Sequence, residues 1–144
     1  MRRWFPEVTI HDGKQATGWG SVDCPDAQHL ILTVATRGLG AGDTIGFKVA
    51  GSNSDTEPTF SSASAYNNRW DYLAVRDLQT KDLIVGNTEI TALGSGGGTI
   101  TENVARRFAI EEDNVRWVGV NVTTLSDTTN TFFYAYLSMA NDSE

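Results

Sequence analysis

The chain has 144 residues, 40% of them hydrophobic and 20% charged, with 14 glycines against 3 prolines and a formal net charge of −7. A chain of this size buries roughly two-thirds of its unfolded surface as one domain, so it needs neither metal nor disulfide to stay folded. The composition excludes disordered and fibrous classes, the acidic balance argues against a nucleic-acid surface, and the single cysteine, Cys24, allows no intrachain disulfide.

The first 14 residues read as an extended N-terminal arm. MRRWFPEV combines Arg2 and Arg3 with Trp4 and Phe5, and Pro6 biases Phe5 toward an extended backbone. Ordering such a segment costs about 1 to 2 kcal/mol per residue, so it needs a surface to lie on, and the expectation is contact with another chain. The segment has no apolar run of signal-peptide length, and nothing in the chain approaches the 18 or so apolar residues of a membrane span. A soluble protein that is not exported and does not contact membrane is expected.

Residues 15–140 read as the folded domain and 141–144 as a tail. Period-2 patterning predicts eight strands, over 15–22, 29–36, 44–51, 70–77, 83–93, 99–110, 115–124 and 131–139. Turn chemistry separates them: CPD at 24–26, RGLGAGD at 37–43, GSNSD at 51–55 and EEDN at 111–114. Residues 55–68 lack a period and read as a long surface loop. Over 101–109 a helix capped by Thr101 competes with a strand, and alternation of Arg106, Phe108 and Ile110 against Arg107 and Ala109 favours the strand. Eight strands with long connections in one domain predict an all-β, antiparallel sandwich of the jelly-roll kind.

The last two strands are apolar on both faces. Phe133, Ala135, Leu137 and Met139 oppose Phe132, Tyr134 and Tyr136, as Val118, Val120 and Val122 oppose Val115 and Trp117. One set lines the core. The other is covered either by the N-terminal segment folding across or by another chain; buried interface patches are enriched in Tyr, Trp, Phe and Arg.

No catalytic constellation emerges. His11 and His29 accompany no nucleophile motif, and aspartates flanking Cys24 disfavour a thiolate. GSGGGT at 94–99 lacks the lysine and helix start of a phosphate loop and reads as a hairpin tip. Oxygen-rich clusters at Asn53, Asp55 and Glu57, and at Asp127 and Asn130, lack calcium-loop spacing and read as Asx turns. The sequon at Asn121 reads as strand, and Glu111-Glu112-Asp113 as turn. The chain is expected to be no enzyme and to need no cofactor or metal; a cupin-type metal triad asks for more than two distant histidines.

The series FKVAGSNSD, NNRWDYLAVRDLQT, LIVGNTEIT, a glycine-rich break and VRWVGVNVT resembles small β-sandwich proteins that decorate or cement the capsids of tailed bacteriophages. The features that carry it are Gly51-Ser52 closing a central strand, Trp70 opening the next and Arg116 before an alternating valine strand, over roughly residues 28–138. The resemblance implies a structural virion protein, assembled in the host cytoplasm, that binds the major capsid protein and its own copies as a trimer or dimer and stabilises the head. Interface candidates are Arg2, Arg3, Trp4, Phe5, Phe132, Tyr134 and Tyr136. The alternative is a lectin-like module whose Trp19, Tyr66 and Trp70 stack on sugar rings.

Overall fold

The computed structural model describes residues 1–25, 27–61 and 68–142. Among them there is no helix, and twelve strands form two antiparallel sheets. The strands are β1 (Arg2–Trp4), β2 (Val8–Lys14), β3 (Gly18–Asp23), β4 (His29–Arg37), β5 (Thr44–Ser52), β6 (Asp71–Tyr72), β7 (Val75–Asp77), β8 (Leu83–Ile84), β9 (Ile90–Leu93), β10 (Arg106–Ile110), β11 (Trp117–Leu125) and β12 (Phe132–Asp142). One sheet has seven strands in the order β1-β12-β4-β10-β7-β8, with β2 also paired to β12; the other has five, β3-β11-β5-β6, with β9 also paired to β5. Within these sheets β2-β12-β4-β10 faces β3-β11-β5-β9, and from β2 to β5 and again from β9 to β12 the chain changes sheet at every connection. That order is a jelly roll.

The strands depart from the eight expected for three local reasons. The stretches 70–77 and 83–93 each divide between the sheets, β6 and β9 joining the five-stranded sheet while β7 and β8 join the seven-stranded one. Residues 101–105 form neither strand nor helix: the Glu102 carboxylate accepts the Gly38 and Leu39 amides at 2.9 Å each, and the Asn103 amide donates to the Thr36 carbonyl, which pins a turn there. The third reason lies in residues 1–14, which contribute β1 and β2 along the free edge of β12, while β12 itself runs to Asp142.

β2 holds its place by slipping register twice. Tyr134 pairs with Asp12 and Ala135 with His11, then Tyr136 with Thr9 and Leu137 with Val8, with irregularities on either side of the first pair of partners. A one-residue slip sends every later side chain to the opposite face. With extra residues at Gly13 and Ile10, His11 and Val8 stay inward and Asp12 and Thr9 outward. Gly13 takes φ +83°, the left-handed conformation a bulge of this kind favours.

The core follows strict alternation. Leu30, Leu32 and Val34 of β4, Phe47 and Val49 of β5, Val118, Val120 and Val122 of β11 and Phe133, Ala135 and Leu137 of β12 are all buried. The Phe47 ring lies 6.0 Å from Phe108 and 5.3 Å from Phe133, centroid to centroid, tying the two sheets together at tilted and edge-on angles.

Two polar groups are built into this interior. Arg106 binds Asp77 through Nε at 3.0 Å and Nη2 at 2.6 Å, with side-chain exposures of only 13% and 3%. Burial pushes the Asp77 carboxyl up, but the Arg106 hydrogen bonds and charge and the Gln79 and Thr80 amides outweigh it, leaving the group below the usual carboxylate range. Asp77→Ala strands a buried guanidinium, and the loss expected in denaturant unfolding is about 3 kcal/mol.

His11 reaches from β2 to the other sheet, donating from Nε2 to the Val120 carbonyl at 2.9 Å with its ring edge-on to Phe133. Burial holds this imidazole below its ordinary value of 6.5, against the Val120 hydrogen bond, and Lys14 adds to the lowering. The unfolded chain therefore binds a proton that folded His11 refuses, so stability is full above about pH 6.5 and falls as pH drops through it. The urea midpoint is expected to be lower at pH 5.5 than at pH 7.5. His11→Gln should flatten that difference; an equal drop in the variant would contradict the assignment.

Candidate functional site

The outer faces of the two sheets are treated differently. On the five-stranded sheet, Trp19, Trp117, Gly119, Asn121, Ala50, Lys48 and Tyr72 point outward, and the segment from Asn53 to Phe60 folds back over them. The Asn53 side-chain oxygen accepts the Arg116 amide at 2.8 Å, the Ser54 carbonyl accepts Trp117 Nε1 at 2.9 Å, and Ser21 Oγ donates to Glu57 at 3.2 Å. Phe60 stacks on Trp19 at 5.2 Å, Trp70 meets Trp19 edge-on at 5.1 Å, and Tyr72 meets Trp70 at 5.1 Å. This face is roofed. Ala50 is fully buried beneath the roof, and a Cβ on Gly119 would lie 3.1 Å from the Phe60 ring.

The outer face of the seven-stranded sheet has no such cover among the described residues. Outward from β12 point Phe132, Tyr134, Tyr136 and Ser138; from β4, Arg37, Ala35, Thr33, Ile31 and His29; from β10, Arg107 and Ala109; from β2, Asp12 and Thr9. All are half-buried or exposed. The aromatic ridge is flanked by charge: the Arg37 guanidinium lies 4.7 Å from the Phe132 ring centre and 5.9 Å from that of Tyr134, whereas Asp12 borders the other side. Burial, then the nearby Asp12, Tyr134 and Glu7, raise the Tyr136 phenol above its usual value. Beyond β10, Arg76 pairs with Glu111 at 2.7 Å.

Phe132, Tyr134 and Tyr136 thus lie on this one face, and Trp4, paired opposite Ala140, extends it at 51% exposure. Arg2 lies against Asp142 at 3.8 Å beside His29, which meets the same carboxylate at 3.2 Å. Arg3 pairs opposite Asn141 on β1. Phe5 is set apart: its amide donates to the Met139 carbonyl, its ring packs against the core, and with Pro6, Val8 and Cys24 it lines an apolar cavity of about 350 Å³ at one end of the sandwich.

The remaining sequence candidates take structural roles. Trp70 is only 4% exposed, so it offers no platform to a sugar ring, and Trp19 is stacked under Phe60; Tyr66 lies outside the described residues. The Cys24 thiol donates to the Val115 and Arg116 carbonyls, and burial, aided by Asp23, pushes it up to about 12. Asp127 accepts the Thr129 and Asn130 amides at 3.0 Å each in an Asx turn, and Asn53 is spent on Arg116. Among the described residues no group of three or more His, Cys, Asp or Glu is placed to hold a metal ion. Sequence reasoning missed β2 as the border of the open face and the 53–60 segment as the roof of the other.

No protein-family model matches the chain, and no curated protein matches it in sequence. Its fold does have a counterpart: the crystal structure of the SPBc2 prophage-derived protein YomS superposes with a TM-score of 0.58 over 98% of this chain and 96% of that one, at 11% sequence identity. The two chains share a fold. At so low an identity the likeness concerns architecture, and the two are nearly equal in extent.

A test of the roof follows from its tightest contact. Gly119→Val forces the Phe60 ring outward, and overpacking of this kind costs about 1 to 3 kcal/mol. Limited proteolysis is expected to cut the 53–61 segment faster in the variant than in the parent chain.

Proposed function

We propose that this chain is a structural protein of a tailed-phage or prophage particle, a decoration protein that binds the major capsid protein and stabilises the head. The observation that carries the reading is the bare aromatic face of the seven-stranded sheet. Among the described residues the chain folds its own loop over one sheet and lays none over the other, where Phe132, Tyr134 and Tyr136 stand half-buried on the outer face. Aromatic residues together with arginine are the composition of protein interfaces. The fold shared with a prophage-derived protein supports the phage setting. The lectin-like reading loses its support with the burial of Trp70.

The test is co-sedimentation of the purified chain with empty heads assembled from the major capsid protein of the same phage genome. Saturable binding and a head that withstands several degrees more heat are expected. Tyr134→Ser with Tyr136→Ser should lower the bound fraction about tenfold, the avidity lost when partners joined through this face come apart. Absence of co-sedimentation would refute the capsid assignment.

A further inference from the structure

We propose that the bare face of the seven-stranded sheet is closed by a second copy of this chain, packed face to face about a two-fold axis parallel to β12 and β4. The inference rests on the reading of that face as a protein-binding surface, and it names the occupant. Three features of the face make it complementary to itself.

The first is relief. β12 presents a ridge of large side chains, Phe132, Tyr134 and Tyr136, while β4 beside it presents Ala35, Thr33 and Ile31, and β10 beyond presents Ala109. A two-fold axis running along the strands between β12 and β4 lays each ridge over the partner's shallow side. Levels along the strands are kept by such an axis, so Tyr134, which is registered with Ala35 in its own sheet, falls opposite the partner copy's Ala35, and Tyr136 opposite its Thr33. An isologous contact needs this property, because one patch must serve as both partners.

The second is charge. Exposed Asp12 on β2 and exposed Glu7 before it flank the ridge on one side, Arg107 on β10 flanks the shallow side on the other, and Arg37 at the end of β4 lies over the Phe132 ring. The same rotation places β2 of one copy over β10 of the other, bringing each Asp12 within one strand repeat, about 7 Å, of Arg107 on the opposite copy, a distance the arginine side chain spans. Turning the copies to lie ridge on ridge would oppose like charges instead.

The third is area. Nine residues of β12 pair with β4, about 30 Å of strand, and the five strands from β2 to β7 span about 20 Å. The face is therefore roughly 600 Å² per copy, about 1,200 Å² in total, which reaches the range of specific interfaces. Both roofed faces then point away from the contact, free to meet the rest of a particle.

Sedimentation equilibrium over a concentration series tests the arrangement. The parent chain is expected at twice its 15.7 kDa mass. Asp12→Arg and Arg107→Asp should each weaken the dimer at least tenfold, and the two together should restore it to within a few-fold, since the swapped charges again oppose each other. Ala35→Trp fills the shallow side and should give a monomer with an unchanged far-UV circular dichroism spectrum. A parent chain that stays monomeric at 100 μM overturns the proposal, as does a dimer indifferent to all these changes or a charge-swapped double variant no better than the singles. A monomer that still co-sediments with heads refutes the dimer while leaving the capsid reading intact. A dimer that ignores heads supports the dimer and refutes the capsid reading.

Discussion

Three phenylalanine rings meeting between the sheets fix what every outward side chain does. Phe47 from the five-stranded sheet contacts Phe108 and Phe133 from the seven-stranded one. Because successive side chains of a strand leave opposite faces, holding Phe133 inward obliges Phe132 and Tyr134 to point out, and holding Phe108 inward does the same to Arg107 and Ala109. The aromatic ridge is thus a by-product of core register that has been given large rings where small polar ones would have dissolved more easily.

That choice contrasts with the other sheet. Its outward Trp19, Trp117 and Tyr72 are equally apolar, yet the 53–60 segment and Trp70 cover them, with hydrogen bonds from Trp117 Nε1 and the Arg116 amide fastening the cover. The bare ridge and the roofed cluster obey one rule, that large apolar rings seek removal from water, and differ in whether the chain supplies the cover itself.

Legibility in the sequence tracked regularity of pattern. β4, β5 and β12 keep an inward-outward alternation over nine or more residues each, β11 keeps it up to a bulge at Thr123, and the predicted and observed extents of all four agree closely. β2 was read as arm because two bulges break VTIHDGK into pieces too short for a period to register. The stretch 70–77 reads as a single strand because the chain crosses between sheets at Leu73-Ala74 without a turn residue. In 83–93 the crossing is marked by Gly86-Asn87, with Asn87 at φ 70°, a turn signal that the apolar residues on either side outweigh. At the candidate site the double-sided apolar pattern was visible from residues 115 to 139. Which half would be roofed was not, since the cover comes from an aperiodic loop whose placement depends on the absence of a side chain at Gly119 and on hydrogen bonds from distant strands.

The bulged strand β2 also bears on how copies can accumulate. It occupies the flank of β12, and its extra residues at Gly13 and Ile10 interrupt the even ladder that an incoming strand would need, while β8 at the far border is only two residues long. Neither border of the seven-stranded sheet is a good template for continuing it. Growth of this sheet by strand addition, the route to fibrils, is therefore disfavoured at both borders, and its broad face is left as the surface through which it can meet a neighbour.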